Sequence, residues 1–225
     1  MVSQRSPGVK PRAGLNRERV LRAALALADE GGIEALTMRR LGERLQVEAM
    51  SLYKHVAGKD DILDGIVDLV FSEIELPSDD EDWKSAMYQR AVSARDALTR
   101  HPWAPSLMQA RTRPGPATLR HHNSVIGALR RAGFTIDMAA HAFSVMDGYI
   151  YGFALQQVNL PSHTPEESAQ LAESILRELP AQGYPYLAEM IVEHALKPDY
   201  DYAVEFEFGL DLILDGLERL RGVAG

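Results

Sequence analysis

The chain contains no cysteine. That excludes disulfides and thiolate metal sites and suits a reducing compartment. It also lacks any long uncharged apolar run. The most apolar stretch, 136–158, is interrupted by Asp137, His141, Asp147 and Gln156, so a buried helix is expected there rather than a membrane span. No apolar segment follows the basic N-terminus as a secretion signal requires, and a cytoplasmic location is expected. Alternating strand patterns, Asn-Gly hairpin signals, repeats and low-complexity tracts are missing too, which leaves an all-α fold. The short motifs of common catalysts are absent: no His-Glu-x-x-His helix, no Walker phosphate loop, no Gly-x-Ser-x-Gly elbow. The chain is therefore not expected to be an enzyme, and no cofactor is expected.

Net positive charge is also missing. The overall charge is −8 over 225 residues, which argues against nucleic acid only if charge is spread evenly. It is not. Residues 1–60 hold 11 Lys/Arg against 7 Asp/Glu, a net of +4, and residues 61–225 hold 13 against 25, a net of −12. A basic head on an acidic body concentrates attraction to phosphate at one end. Charge alone leaves a second reading open, a basic N-terminal tail carrying Arg5, Lys10, Arg12, Arg17, Arg19 and Arg22.

What is present is helical periodicity. Residues 1–15, with Pro7, Gly8, Pro11 and Gly14, read as a disordered basic arm. From Arg17 the apolar positions Val20, Leu21, Ala24, Leu25 and Ala28 keep a helical period, capped by Asn16 and ended by Gly31-Gly32. A second helix is predicted over 38–45 with Thr37 as its cap, a third over 49–56, and a fourth from Gly58 to about Glu75, stopped by Pro77. The acidic run 78–82 reads as a linker. Further helices are predicted at 83–100, 104–112, 115–132 and 136–159. Thr164-Pro165-Glu166-Glu167 is a capping-box start for a helix to about Leu179. Two more follow at 187–196 and 201–221. The expected division is a DNA-binding domain at 16–62 and a larger helical regulatory and dimerisation domain at 63–225.

The segment 36–59 is the most specific feature. Two short helices joined by a tight turn form a helix-turn-helix, whose second helix enters the DNA major groove. Leu41, Leu45, Val47 and Leu52 are expected to lock the pair. Gly42 costs roughly 1 kcal/mol against alanine inside a helix, and close approach of the third helix would explain it. The third helix offers Ser51, Tyr53, Lys54 and His55; a hydroxyl, a phenol and a cation suit phosphates and base edges. Lys59 stands in the first turn of the fourth helix, where the macrodipole disfavours a cation; a phosphate partner or simple solvation accounts for it.

With Ser-Leu-Tyr-Lys-His-Val at 51–56 and Lys-Asp-Asp-Ile-Leu at 59–63, residues 16–70 resemble the DNA-binding domain of tetracycline-repressor (TetR) family regulators. The resemblance implies a homodimeric repressor that binds a palindromic operator and is released by a small-molecule effector. Carried over residue by residue, the DNA-contacting positions are Thr37, Arg39, Ala49, Met50, Ser51, Tyr53, Lys54, His55 and Lys59. One position departs: the family's turn commonly has glycine where this chain has Gln46, which implies a left-handed glutamine. More weakly, residues 83–160 and 200–221 resemble the tetracycline repressor's own C-terminal domain, through Ala97-Leu98, His101, Thr112-Arg113-Pro114, Gly133-Phe134 and the final helix.

That resemblance points to an effector pocket near His101, Trp103, Gln109, Arg111, His122, Met146 and Tyr149. It points to a subunit interface of Tyr149, Tyr151, Phe153, Leu210, Ile213, Leu214 and Leu217. Gln109 stands where that repressor has its magnesium-binding histidine, and Ser72, Arg90 and Ala94 replace other drug-contacting positions, which argues against a magnesium–tetracycline ligand. His121 and His122 are adjacent and cannot share a helix face, so no metal site is read there. The expected function is thus a ligand-responsive DNA-binding repressor, with no membrane partner. An all-α enzyme and a non-specific architectural DNA-binding protein are the alternatives, the latter disfavoured by the body's −12.

Overall fold

The structure, a computed structural model, describes residues 14–111, 113–160, 164–180, 183–197 and 200–221. These residues form eleven α-helices, one short π-helical segment and no strand. The expected basic arm lies outside the described residues, apart from Gly14 and Leu15. The chain divides into two compact units between Ile66 and Val67, four residues beyond the expected boundary.

The head comprises α1 (Arg17–Ala35), α2 (Met38–Leu45), α3 (Ala49–Leu52) and the start of α4 (Lys59–Glu73). Asn16 caps α1 by accepting from the Arg19 N–H at 2.8 Å. α1 breaks where the two glycines stand: Gly32 takes φ 71°, and the last residues resume helix beyond the kink. Thr37 caps α2, its hydroxyl accepting from the Arg40 N–H at 3.2 Å. Gln46 takes the left-handed conformation, φ 58° and ψ 45°, and is the one non-glycine residue to do so among the described residues. A left-handed residue just past the last helical turn satisfies the terminal carbonyls, at a steric cost glycine would not pay. Val20, Ala24, Leu41, Leu52, Ile62 and Ile66 fill the core between these helices.

One expectation is corrected here. The third helix was predicted to reach Val56, but its α-helical span ends at Leu52. Beyond it the His55 N–H donates to the Leu52 carbonyl at 2.9 Å and the Lys54 N–H to Ser51 at 3.4 Å. Such i→i+3 bonds tighten a last turn before a change of direction.

The body holds the end of α4 with α5 (Trp83–Arg100), α6 (Ala104–Ala110), α7 (Pro116–Arg131), α8 (Ile136–Val158), α9 (Pro165–Glu178), α10 (Pro185–Met190) and α11 (Ala203–Arg221). α5 runs along α8, which also receives α6, α7 and α11. Ala91, Ala94 and Ala97 of α5 are fully buried, and side chains this small let two helix axes approach closely. Asp82, the last residue of the predicted linker, caps α5 by accepting from the N–H groups of Lys84 at 3.0 Å and Ser85 at 3.1 Å. The capping box at Thr164 forms with Glu167, both bonds at 3.2 Å. The helix predicted over 187–196 starts earlier, at Pro185, and turns π-helical over Ile191–Ala195.

Candidate nucleic-acid interface and a buried polar cluster

The turn between α2 and α3 is built on contact with Gly42. A Cβ at this position would sit 2.8 Å from the Val47 carbonyl oxygen, 3.2 Å from the Ala49 nitrogen and 3.3 Å from its Cα. The glycine therefore sets how closely α3 begins against α2. With Leu52 buried beneath it, α3 turns Met50 (75% exposed) and Tyr53 (49% exposed) outward. Lys54 and Lys59 are also exposed, while Ala49, Ser51 and His55 are half-buried. Thr37 spends its hydroxyl on the cap of α2, and the exposed Arg39 pairs with Glu43 at 3.0 Å, one helical turn away.

The start of α4 is pinned from beneath by a pair that sequence reasoning missed. Arg17 forks onto Asp61 with two bonds of 2.7 Å, and Asp61 also accepts from the Ala57 N–H at 2.9 Å. The Arg17 guanidinium, aided by that backbone N–H, holds the Asp61 carboxyl below its usual range. The 57–61 turn that presents Lys59 is thereby fixed to α1. Arg44 forks onto Glu30 in the same way, at 2.7 and 2.8 Å, and ties α2 to α1.

In the body, the seven residues expected around an effector pocket lie in different surroundings. His101 is buried and bonds Glu73 through Nε2 at 3.2 Å. Trp103 lies beside it, ring centroids 6.0 Å apart. Gln109 is exposed and Arg111 half-buried at the end of α6, while Thr112, the next residue of the quoted motif, falls outside the described residues. Met146 is wholly buried on α8. Tyr149 donates its hydroxyl to the carbonyls of Glu205 and Phe206, both at 3.0 Å, a position open only because Gly209 has no side chain to occupy it.

His122 is the member that belongs to something larger. Arg90 of α5, 1% exposed, and His121 of α7, 0% exposed, meet Asp147 of α8. Arg90 Nη2 donates to Asp147 Oδ1 at 2.5 Å, and Arg90 Nε to His121 Nε2 at 3.2 Å. The Tyr151 hydroxyl donates to Asp147 Oδ2 at 3.3 Å. Burial, with Arg90 alongside, pushes the His121 pKa down to about 3, and burial raises that of Tyr151. Phe71 of α4 contacts both histidines, ring centroids 5.3 Å from His121 and 5.5 Å from His122, and Phe143 stands edge-on to His122 at 5.1 Å. Two buried atoms of this cluster have no hydrogen-bond partner, Arg90 Nη1 and His121 Nδ1.

Phe71 is not the only link from α4. Asp68 accepts from the N–H groups of Ala117 at 3.2 Å and Thr118 at 2.8 Å, and from the Thr118 hydroxyl at 2.9 Å. A side chain on α4 thus caps α7, and a Cβ at Gly115 would fall on its carboxylate. A separate cleft of about 340 Å³ lies where α8 ends, lined by residues including Thr99, Gln157, Ser168 and Tyr202.

The residues expected to pair subunits divide between the subunit's own core and its half-buried surface. Leu210, Leu214, Leu217 and Phe153 are buried in the subunit's own core, and Tyr149, Tyr151 and Ile213 are half-buried. The large apolar side chains that α11 turns to solvent are Val204, Phe208, Leu212 and Leu220, 60, 64, 59 and 52% exposed, and those of α8 are Ile136, Val145 and Leu155. The final helix is apolar on two faces, and sequence alone did not say which of them the core takes.

Residues 20–66 match the model for bacterial regulatory proteins of the tetR family, and residues 76–221 match that for the tetracyclin repressor-like C-terminal domain. The HTH-type transcriptional repressor DrrR1 of Streptomyces coeruleorubidus is 34% identical, across 96% of this chain and 82% of its own. The class C tetracycline repressor protein of Escherichia coli is 31% identical across 92% of each chain. The crystal structure of the TetR family protein ActR of Streptomyces coelicolor in complex with actinorhodin is similar at a TM-score of 0.77 and 28% identity, covering 93% of this chain and 100% of that one.

Proposed function

This chain belongs to the tetR family of bacterial regulatory proteins, and on that premise we propose how its residues divide the work of a ligand-responsive repressor. As a homodimer it holds a palindromic DNA operator, and it lets go when a small molecule occupies the body. The observation that carries this reading is the α2–Gln46–α3 turn, which buries Leu52 and presents Met50 and Tyr53 together on an open surface.

Ala49, Met50, Ser51 and Tyr53 face base edges. The first two offer only apolar contact, suited to thymine methyls. Lys54, His55 and Lys59 hold phosphates and fix the register. Arg39 leaves Glu43 for a phosphate, since an exposed pair one turn apart contributes only about 0.3–0.5 kcal/mol. Thr37 serves through the cap of α2. The outward stripe of Val204, Phe208 and Leu212 is the seam between subunits. No reaction is assigned to the chain, and its place of action is the cytoplasm, where the operator is. A relative's name refers to tetracycline and a similar structure holds actinorhodin. For this chain an exposed Gln109 at the expected metal position speaks for an effector other than magnesium–tetracycline.

The test is selection of binding sites from random duplex DNA with the purified protein at physiological salt. Enrichment of a palindrome with half-sites about 34–36 Å apart is expected. Binding that is only salt-sensitive and unselective would overturn the reading. Tyr53→Phe is expected to weaken binding to the selected site, and unaltered affinity would remove the Tyr53 hydroxyl from the contact set.

A further inference from the structure

Two residues before Met50, the turn between α2 and α3 carries an acid, Glu48. Its backbone is held on both sides. The Val47 N–H donates to the Gly42 carbonyl at 3.0 Å, and the Glu48 carbonyl accepts from the Ser51 N–H at 2.8 Å. Its side chain is not held. Glu48 is exposed, makes no side-chain bond to α3, and pairs with no side chain among the described residues. The arginines of α2 that could neutralise it are engaged with other carboxylates, Arg39 with Glu43 at 3.0 Å and Arg44 with Glu30 at 2.7 Å.

A free carboxylate is out of place on a surface that meets phosphates. It repels them and weakens binding to every DNA sequence. In the major groove a carboxylate can only accept, and the bases differ in what they give it. Guanine presents two acceptors there, and thymine an acceptor and a methyl group. Adenine sets its N7 acceptor beside its N6 amino group. Cytosine presents a donor alone, its N4 amino group. The residues that begin the second helix of a helix-turn-helix are the ones that reach base edges. Ala49 and Met50, which follow Glu48, bring only apolar contact.

We propose that Glu48 determines specificity in the operator complex: its carboxylate accepts from the N4 amino group of one cytosine in each half-site. The inference rests on the DNA-binding reading above and adds a residue and a base to it. The repulsion from phosphates serves the same end. It disfavours all sequences alike, and a cytosine at that one place offsets it.

The test selects sites from random duplex DNA, at physiological salt, with the full chain and with its variants Glu48→Gln and Glu48→Ala. The palindrome chosen by the unaltered chain should hold a cytosine at one position of each half-site. Replacing that cytosine by any other base should weaken binding at least tenfold. Glu48→Gln should move the preference at that position, and at no other, from cytosine to adenine, because an amide pairs with adenine N6 and N7. Glu48→Ala should leave the position without preference and bind unselected DNA at least as tightly as the unaltered chain. Both variants should unfold at the unaltered temperature, since this side chain holds nothing in the fold. Earlier unfolding with every position relaxed together would show a structural Glu48 and overturn the proposal. So would a cytosine preference that survives in Glu48→Ala. A palindrome in which no position responds to residue 48 sinks Glu48 alone and leaves the regulator standing. Failure to select any palindrome sinks both.

Discussion

Replacing Gly42 with alanine sets two physical effects against each other with opposite signs. Helix propensity favours the change: alanine in a helix interior is better than glycine by about 0.8–1.0 kcal/mol. Geometry opposes it. The new Cβ would lie 2.8 Å from the Val47 carbonyl oxygen and 3.2–3.3 Å from the Ala49 backbone, where ordinary contact begins near 3.4 Å. Every atom in its way is backbone, so no side chain can swing aside. The turn must open by roughly half an ångström, which strains the Val47 N–H bond to the Gly42 carbonyl, now 3.0 Å. Overpacking of this kind typically costs about 1–3 kcal/mol. The net expectation is a loss of up to about 2 kcal/mol from the head after the propensity gain. Gly127 of α7 is the internal control. A Cβ there meets only the end of the flexible Arg131 side chain, at 3.1 Å, so Gly127→Ala should stabilise the body by about 1 kcal/mol. Urea unfolding of both variants, followed by a probe in each unit, reads the two signs. Operator affinity supplies a second readout, because opening the turn shifts Ala49, Met50 and Tyr53 together. Selected DNA should be bound at least tenfold more weakly while non-specific binding, which depends on charge, stays close to normal. If Gly42→Ala stabilises as much as Gly127→Ala, the close approach of α3 to α2 does not limit the turn and the reasoning fails.

Other expectations are shorter to state. Gly115→Ala should displace Asp68 from the N-terminus of α7 and cost about 0.5–2 kcal/mol, the usual effect of losing a cap; thermal unfolding of the body with no change would show that the cap contributes nothing. Stability of the body should fall as pH drops below about 6.5, since His121 stays neutral in the fold down to about 3 while the unfolded chain takes up the proton. One such group costs up to about 1.4 kcal/mol per pH unit in that window. His122, whose pKa burial also lowers, adds with the same sign, so His121→Phe should make the slope shallower by at most one proton, and an identical slope would deny that His121 is the buried neutral base. Lys59→Ala should weaken binding to all DNA sequences and flatten the salt dependence of log K by about one unit if Lys59 holds a phosphate; an unchanged slope would leave Lys59 as a solvated lysine.

What was legible in the sequence was local. The caps at Asn16, Thr37 and Thr164, the break at Gly31-Gly32 and the left-handed Gln46 each depend on a few consecutive residues, and each forms. Gly42 was readable as a contact point because a glycine inside a short helix is otherwise a net cost. The end of α3 was not readable, since 53–56 remain compatible with a helix and only the direction the chain takes next decides against it. The buried cluster was invisible for another reason. Arg90, His121 and Asp147 lie 31 and 57 residues apart along the chain, and in sequence each looks like an ordinary polar residue on a helix. His121 and His122 do not read as one site in sequence, because adjacent residues do not share a helix face. That geometry is right, yet Phe71 touches both rings. Two diverging side chains can still flank one ring from a neighbouring helix, and nothing in local spacing reveals it.

The energetics of release bear on how much work an effector must do. A ligand shifts an equilibrium only by the difference in its affinity for the two states, and turning a 1:99 population into 99:1 needs about 5.5 kcal/mol. Hydrogen bonds to charged groups contribute about 1.5–3 kcal/mol each and neutral ones less. Two or three such contacts are therefore of the right order, but only if they are made in one state and not in the other. α4 runs from the head into the body. It contacts His121 through Phe71 and caps α7 through Asp68, and its first turn carries Lys59 and the Asp61 that Arg17 holds. If α7 and His121 shift when an effector binds, Phe71 and Asp68 are where α4 meets that shift within the body. Linkage then demands reciprocity: an effector that loosens the operator by some factor must itself bind more weakly, by that same factor, to the protein on DNA. Measuring both affinities tests the coupling without knowing its structural details, because an effector bound equally well with and without operator cannot be the inducer, however tightly it binds.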